Sequence, residues 1–241
     1  MTELVSLYPE FKLSYSAHIP EHLRDLIYSV WQYRYQELYE DYANAPISLE
    51  QSCENILDHL ISYNSNSYYL YLIWMGLILG SSVQPTLTAY LPNDPRSELI
   101  LNLALSHFIR TENRIKYYKR YKHYKNFNFK EKIEFHPNIN QLKQQLFPKL
   151  SEGTQALDEA LDVFQNLLKL IDPCQAKTAI LEILDDCLEG YAIFPGSQHR
   201  RDLFNWWLLD VVPATWCFKC PKKIYTIKGL KQFTSDQFFE I

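Results

Sequence analysis

The sequence predicts an all-α protein, a multi-helix bundle of about seven helices arranged as two helical halves. Three observations carry that expectation. Only six glycines occur in 241 residues, and glycine supplies the positive-φ positions that tight hairpins and phosphate-cradling loops need. Apolar residues recur at helical spacing over most of the chain. Helix-start signals, Ser, Thr or Asp ahead of an apolar-periodic run, precede those stretches. Hydrophobic content of 47% with 22% charged residues matches a globular chain long enough to bury a sizeable core.

Each element follows from its own signals. Pro20 opens a first helix with Leu23, Leu26, Ile27, Val30, Trp31, Leu38 and Tyr42 in register, expected to stop before Pro46. Ser48-Leu-Glu-Gln51 reads as a capping box for a helix whose apolar face is Cys53, Ile56, Leu57, Leu60 and Ile61. After a break at Asn64 to Ser67, an almost wholly apolar helix runs from Tyr68 to about Gly80. Asp94-Pro95 caps a helix reaching about Lys125, with Leu99, Ile100, Leu103, Phe108 and Ile115 inward. Periodicity lapses from Asn126 to Gly153, apart from a short helix expected from Ile139 to Phe147. The halves are therefore drawn as 1–132 and 133–241. Thr154 caps a helix with Leu157, Leu161, Phe164, Leu168 and Ile171 in register. Asp172-Pro173 ends it and starts the next, which closes at Gly190. Ser197 opens a helix to Val211 that Pro213 should stop, and Lys223 to Ile227 reads as a strand with little to pair with.

The apolar run Tyr68 to Val83 spans roughly 24 Å at about 1.5 Å per residue, short of a ~30 Å hydrocarbon core. Gly76 and Gly80 have the small-xxx-small spacing of close-packed membrane helices. A helix apolar on every side is also the central helix of a bundle, and that reading is preferred to a transmembrane segment.

Charge is divided unevenly. No acidic or basic side chain occurs from Leu60 to Asn93, whereas Arg110 to Lys132 holds nine Lys or Arg against Glu112 and Glu131. That segment carries +7, so the rest carries −11 to reach the chain's −4. Clustered cations concentrate an electrostatic field and point to an anionic partner surface. The expected contact residues are Arg114, Lys116, Tyr117, Lys119, Arg120, Tyr121, Lys122, Tyr124 and Lys125. An acidic protein is the preferred partner. Cations interleaved with tyrosines also suit a nucleic acid, by base stacking and phosphate neutralisation, or an anionic membrane surface.

A second partner-binding candidate is the helix start His199, Arg200 and Arg201 with Trp206 and Trp207. Three cationic or titratable residues there oppose the helix dipole, and tryptophans are enriched at binding surfaces.

Catalytic signals are thin. Neither GxGxxG nor GxxxxGK[ST] occurs, nor HExxH, GxSxG or Glu-x-x-His. Asp185-Asp186-Cys-Leu-Glu189 resembles, over five residues, the aspartate-rich motif of helical prenyl-transferring enzymes. That likeness implies an alternative, a helical enzyme holding a divalent metal on these carboxylates. With Glu182 the acids lie opposite Ala176, Ile180, Ile183, Leu184 and Cys187, the pattern of a solvated helix face. Cys217-Phe-Lys-Cys220 has metal-knuckle spacing without a second ligand pair. The reading is a non-catalytic accessory or regulatory protein with no cofactor or metal. Five cysteines and no apolar leader in Met1 to Pro20 suggest the cytoplasm, with residence at a membrane periphery as a variant.

Overall fold

The structure is a computed structural model, and it describes residues 11–63, 68–121, 154–193, 200–226 and 229–232. Among these residues the architecture is all-α: seven helices and one two-stranded hairpin. The helices are α1 (Glu21–Gln32), α2 (Leu49–Tyr63), α3 (Tyr68–Tyr90), α4 (Arg96–Tyr121), α5 (Gln155–Lys169), α6 (Ala176–Glu189) and α7. The last is a continuous run of Arg200–Trp206, a π-turn Trp207–Val211, and Val212–Trp216.

Helix α3 is the axis of the protein. Seventeen of its 23 residues are buried, and it packs against α2, α4, α5, α6, the end of α7 and strand β1 (Lys223–Thr226). It is long and apolar enough to cross a membrane, yet 89% of its most apolar window is covered by the rest of the protein. The two glycines work inside this packing. A Cβ on Gly76 would lie 2.3 Å from Leu170 Cδ2 and 3.0 Å from Leu167 Cδ1; one on Gly80 would lie 3.0 Å from Leu167 and 3.2 Å from Leu101. The small-residue spacing therefore serves a close α3–α5 approach, and the core it joins is continuous from α1 to α7. The boundary between 132 and 133 lies outside the described residues.

Local start and stop signals act where expected. Ser48 Oγ accepts from Gln51 N at 3.1 Å, although the Gln51 amide turns to Glu54 and Asn55 and leaves the box half-formed. Asp94 accepts from Arg96 N at 2.9 Å, and Thr154 Oγ1 from Leu157 N at 3.3 Å. Gly190 closes α6 at φ 88°, a left-handed position that suits glycine.

Five sequence expectations are corrected. Helix α1 ends at Gln32 rather than near Pro46. The chain beyond it turns through the 3-10 segment Gln36–Leu38, burying Leu38 and leaving Tyr42 88% exposed. Helix α3 continues past Gly80 and through Pro85 to Tyr90. Proline leaves the Ser81 carbonyl without its helical donor. The turn survives because Thr86 and Leu87 are buried and Thr86 Oγ1 donates to Ile193 O. Leu99 lies on the outer face of α4, 49% exposed, not inward. Helix α7 runs through Pro213, since the π-turn before it closes with Val212 N donating to Trp207 O, one residue farther back than an α-bond. Lys223–Thr226 has a partner after all, pairing antiparallel with β2 (Gly229–Gln232). The short helix expected at 139–147 lies outside the described residues.

Candidate functional site

The backbone of α4 is helical through Tyr121. The helix therefore bears Arg110, Arg114, Lys116, Tyr117, Lys119, Arg120 and Tyr121 of the basic segment. Arg110 is exposed and lies two residues past the buried Phe108. Lys122, Tyr124 and Lys125 lie outside the described residues.

The second candidate splits on folding. His199 is outside the described residues. Trp206 and Trp207 lie inside, 2% and 1% exposed, with the Trp206 indole donating to Lys223 O at 2.9 Å. Arg200 is also buried. Its guanidinium meets Glu189 at 2.8 Å and lies 4.2 Å over the Tyr39 ring. Arg201 donates to Trp31 O, to Tyr33 O at 2.7 Å and to Glu40 Oε2 at 3.1 Å. Both arginines thus have internal partners, and the start of α7 pins the loop after α1.

That loop holds residues that periodicity could not single out. Tyr39 and Tyr42 adopt positive φ (57° and 58°) and are 75% and 88% exposed. Their backbone is fixed by Tyr35 N donating to Glu40 Oε2 at 2.8 Å and Arg34 N donating to Asn44 Oδ1 at 2.9 Å. Apolar spacing carried the first helix through Tyr42 and gave no signal of this loop.

The four acids of α6 face different neighbours. Glu182 and Asp185 line a cleft of about 300 Å³ between α6 and the start of α2, with Glu37, Glu50 and Cys53. Burial, followed by Glu189, Glu182, Glu159 and Glu50, raises the Asp185 carboxyl. Asp186 turns toward α5. Burial, a hydrogen bond with Glu159 and the charges of Glu159, Asp162 and Asp185 push it up to about 9. It therefore holds a proton at neutral pH. Glu189 is paired with Arg200. Opposite these acids, Ala176, Ile180, Ile183, Leu184 and Cys187 are all buried. Among the described residues, no group of three or more His, Cys, Asp or Glu is placed to share a metal ion.

Cys217 and Cys220 are free thiols at the end of α7, both half-buried. Burial raises both, Cys220 to about 11, so neither is held as a thiolate. The Tyr15 hydroxyl donates to Cys220 O at 2.7 Å, and the Trp74 indole to Lys219 O at 2.9 Å. With Tyr71 stacked on both Trp216 and Phe218, this turn is a seam that joins the segment at Tyr15 and the end of α7 to α3.

The chain matches no known protein family, no curated protein and no solved structure.

Proposed function

We propose that this protein is a non-catalytic accessory or regulatory factor that docks on an acidic protein surface through its basic helix. The observation that carries this reading is the unbroken helical backbone of α4 through Tyr121. Arg110, Arg114, Lys116, Lys119 and Arg120 are thereby borne on one rigid element, in a chain whose remaining residues are strongly acidic. A rigid cationic rod loses little conformational entropy on binding, and clustered charge speeds encounter with an anionic surface. The enzyme alternative receives less support from the geometry: Asp185, Asp186 and Glu189 meet a cleft, the Glu159 carboxyl and the Arg200 guanidinium respectively.

The test is capture of partners from extract by the full chain, before and after reversing Lys116, Lys119 and Lys122 to Glu. The expected result is a captured protein that the reversal releases and whose retention falls as salt rises, because exposed charges are screened over roughly 8–10 Å. The tyrosines should leave a salt-insensitive remainder. Binding to RNA or DNA with a log-linear salt slope, or to anionic vesicles alone, would overturn the protein-partner reading. An unchanged set of captured partners would overturn docking through this segment.

A further inference from the structure

We infer that the outer face of α4 is a homodimer interface on which two copies of the chain pair antiparallel about a two-fold axis near Ala104. The outward residues along this helix include Glu98, Leu99, Asn102, Ser106, Ile109 and Arg110, all exposed. Leu99 and Ile109 are each 49% exposed, and they are the exposed large aliphatic side chains among the described residues. At about 100° per residue the six fall within an arc of about 120°, a single face. Helix–helix packing on α3 and α5 occupies the opposite side, where Ile100, Ala104 and Phe108 are buried.

The order of chemistry on this face is self-complementary. Outward from Ala104 in both directions come a small polar residue (Asn102, Ser106), an aliphatic one (Leu99, Ile109) and a charge (Glu98, Arg110). The two members of each pair are equally far from Ala104, and the charges are opposite in sign. An isologous two-fold contact requires this property, because each residue must suit its mate on the same surface of the second copy. Antiparallel pairing centred on Ala104 brings Glu98 and Leu99 of one copy level with Ile109 and Arg110 of the other, and the same layer is repeated at the far end. Aliphatic then meets aliphatic, and acid meets base, twice. Parallel pairing would set Glu98 beside Glu98 and Arg110 beside Arg110, so charge selects the antiparallel sense.

Among the described residues these groups have no alternative partner within one chain. Glu98 and Arg110 lie roughly 18 Å apart along the helix at about 1.5 Å per residue, and Leu99 and Ile109 roughly 15 Å. Among the described residues neither charge has an ion pair or a side-chain hydrogen bond: the ion pair at this end of the helix joins Asp94 to Arg96. A single helix face is small for a specific interface, which places the association on the order of micromolar. The inference stands apart from the docking reading, which rests on the cations from Arg114 onward and shares only Arg110 with this face.

Sedimentation equilibrium of the full chain across the micromolar range tests it, with circular dichroism confirming that each variant is folded. The wild type should show a monomer–dimer equilibrium. Ile109→Asp should abolish it. Glu98→Arg and Arg110→Glu should each weaken it by about tenfold or more, because each places like charges together at both ends. The double variant E98R/R110E should return to near the wild-type constant, which no merely local effect of either charge would produce. A wild type that stays monomeric overturns the proposal, as does a dimer indifferent to Ile109→Asp. Failure of the double variant to recover beyond either single variant overturns the antiparallel pairing.

Discussion

Asp186 and Gly76 show how single residues in this protein answer to neighbours far away in sequence. The Asp186 carboxyl is raised from its ordinary 3.8 to about 9 by burial and by the acids facing it, Glu159 and Asp162 on α5 and Asp185 on α6. Between those two values the folded chain holds a proton that the unfolded chain has released. Stability should therefore fall as pH rises from about 4 to about 9, and level off above. Asp186→Asn mimics the protonated acid and can still donate to Glu159. Its melting temperature should match the wild type near pH 4 and exceed it at pH 8, by roughly 1–3 kcal/mol of stability; parallel pH profiles would refute this account. Gly76 is a steric case. Gly76→Ala sets a methyl 2.3 Å from Leu170 Cδ2, so urea denaturation should show a loss of roughly 1–3 kcal/mol, and less for Gly80→Ala, whose contacts begin at 3.0 Å. Helix propensity by itself favours alanine by about 1 kcal/mol, so a gain in stability from Gly76→Ala would refute close approach as the role of this glycine.

At the scale of elements, helix ends divide into those set locally and those set by distant partners. Thr154, Ser48 and Gly190 act within their own turn, and each was legible from residue type and spacing. The end of α1 was not. Leu38 and Tyr42 continue its apolar stripe on paper, but Arg201, about 170 residues downstream, takes the Trp31 and Tyr33 carbonyls and pairs with Glu40. Those carbonyls would otherwise serve further helical turns. Arg201→Ala removes the donor and leaves Glu40, 12% exposed, without its counter-ion. Loss of one member of such a pair should cost roughly 3–5 kcal/mol and raise hydrogen exchange selectively across 33–45. Uniform exchange across the chain would show that Arg201 does not set this boundary. The same logic covers Pro85 and Pro213. A proline cost is fixed locally, but whether the helix continues depends on what its next turn buries, here Thr86 and Leu87 in one case and Ala214 and Thr215 in the other.

At the scale of the whole molecule, the charge pattern and the core are separate statements. The uncharged stretch became the axis, since burying α3 on every side needs apolar residues on every side. The basic stretch continues a helix whose earlier turns are anchored in that core. Of the candidate docking residues, sequence placed the α4 cations on a helix correctly. It could not foresee that Trp206 and Trp207 would both be interior, because two adjacent indoles about 100° apart are buried only when elements close over a wide face. Nor could it foresee that Glu182, Asp185 and Asp186, part of one arc on a helical wheel, would meet a cleft and a carboxyl.

By itself the sequence determined the fold class, the central helix, most of the caps and the polarity of the chain. These follow from periodicity, from side chains that satisfy amides within a turn, and from charge count, all of which act over a few residues. Only the tertiary structure decided where α1 stops, that two prolines are carried inside helices, which arginines are spent on internal pairs, and which carboxyl keeps its proton. Each of those outcomes depends on desolvation and on a partner brought close by folding. Their energies belong to pairs of residues distant in the chain, and no local pattern records them.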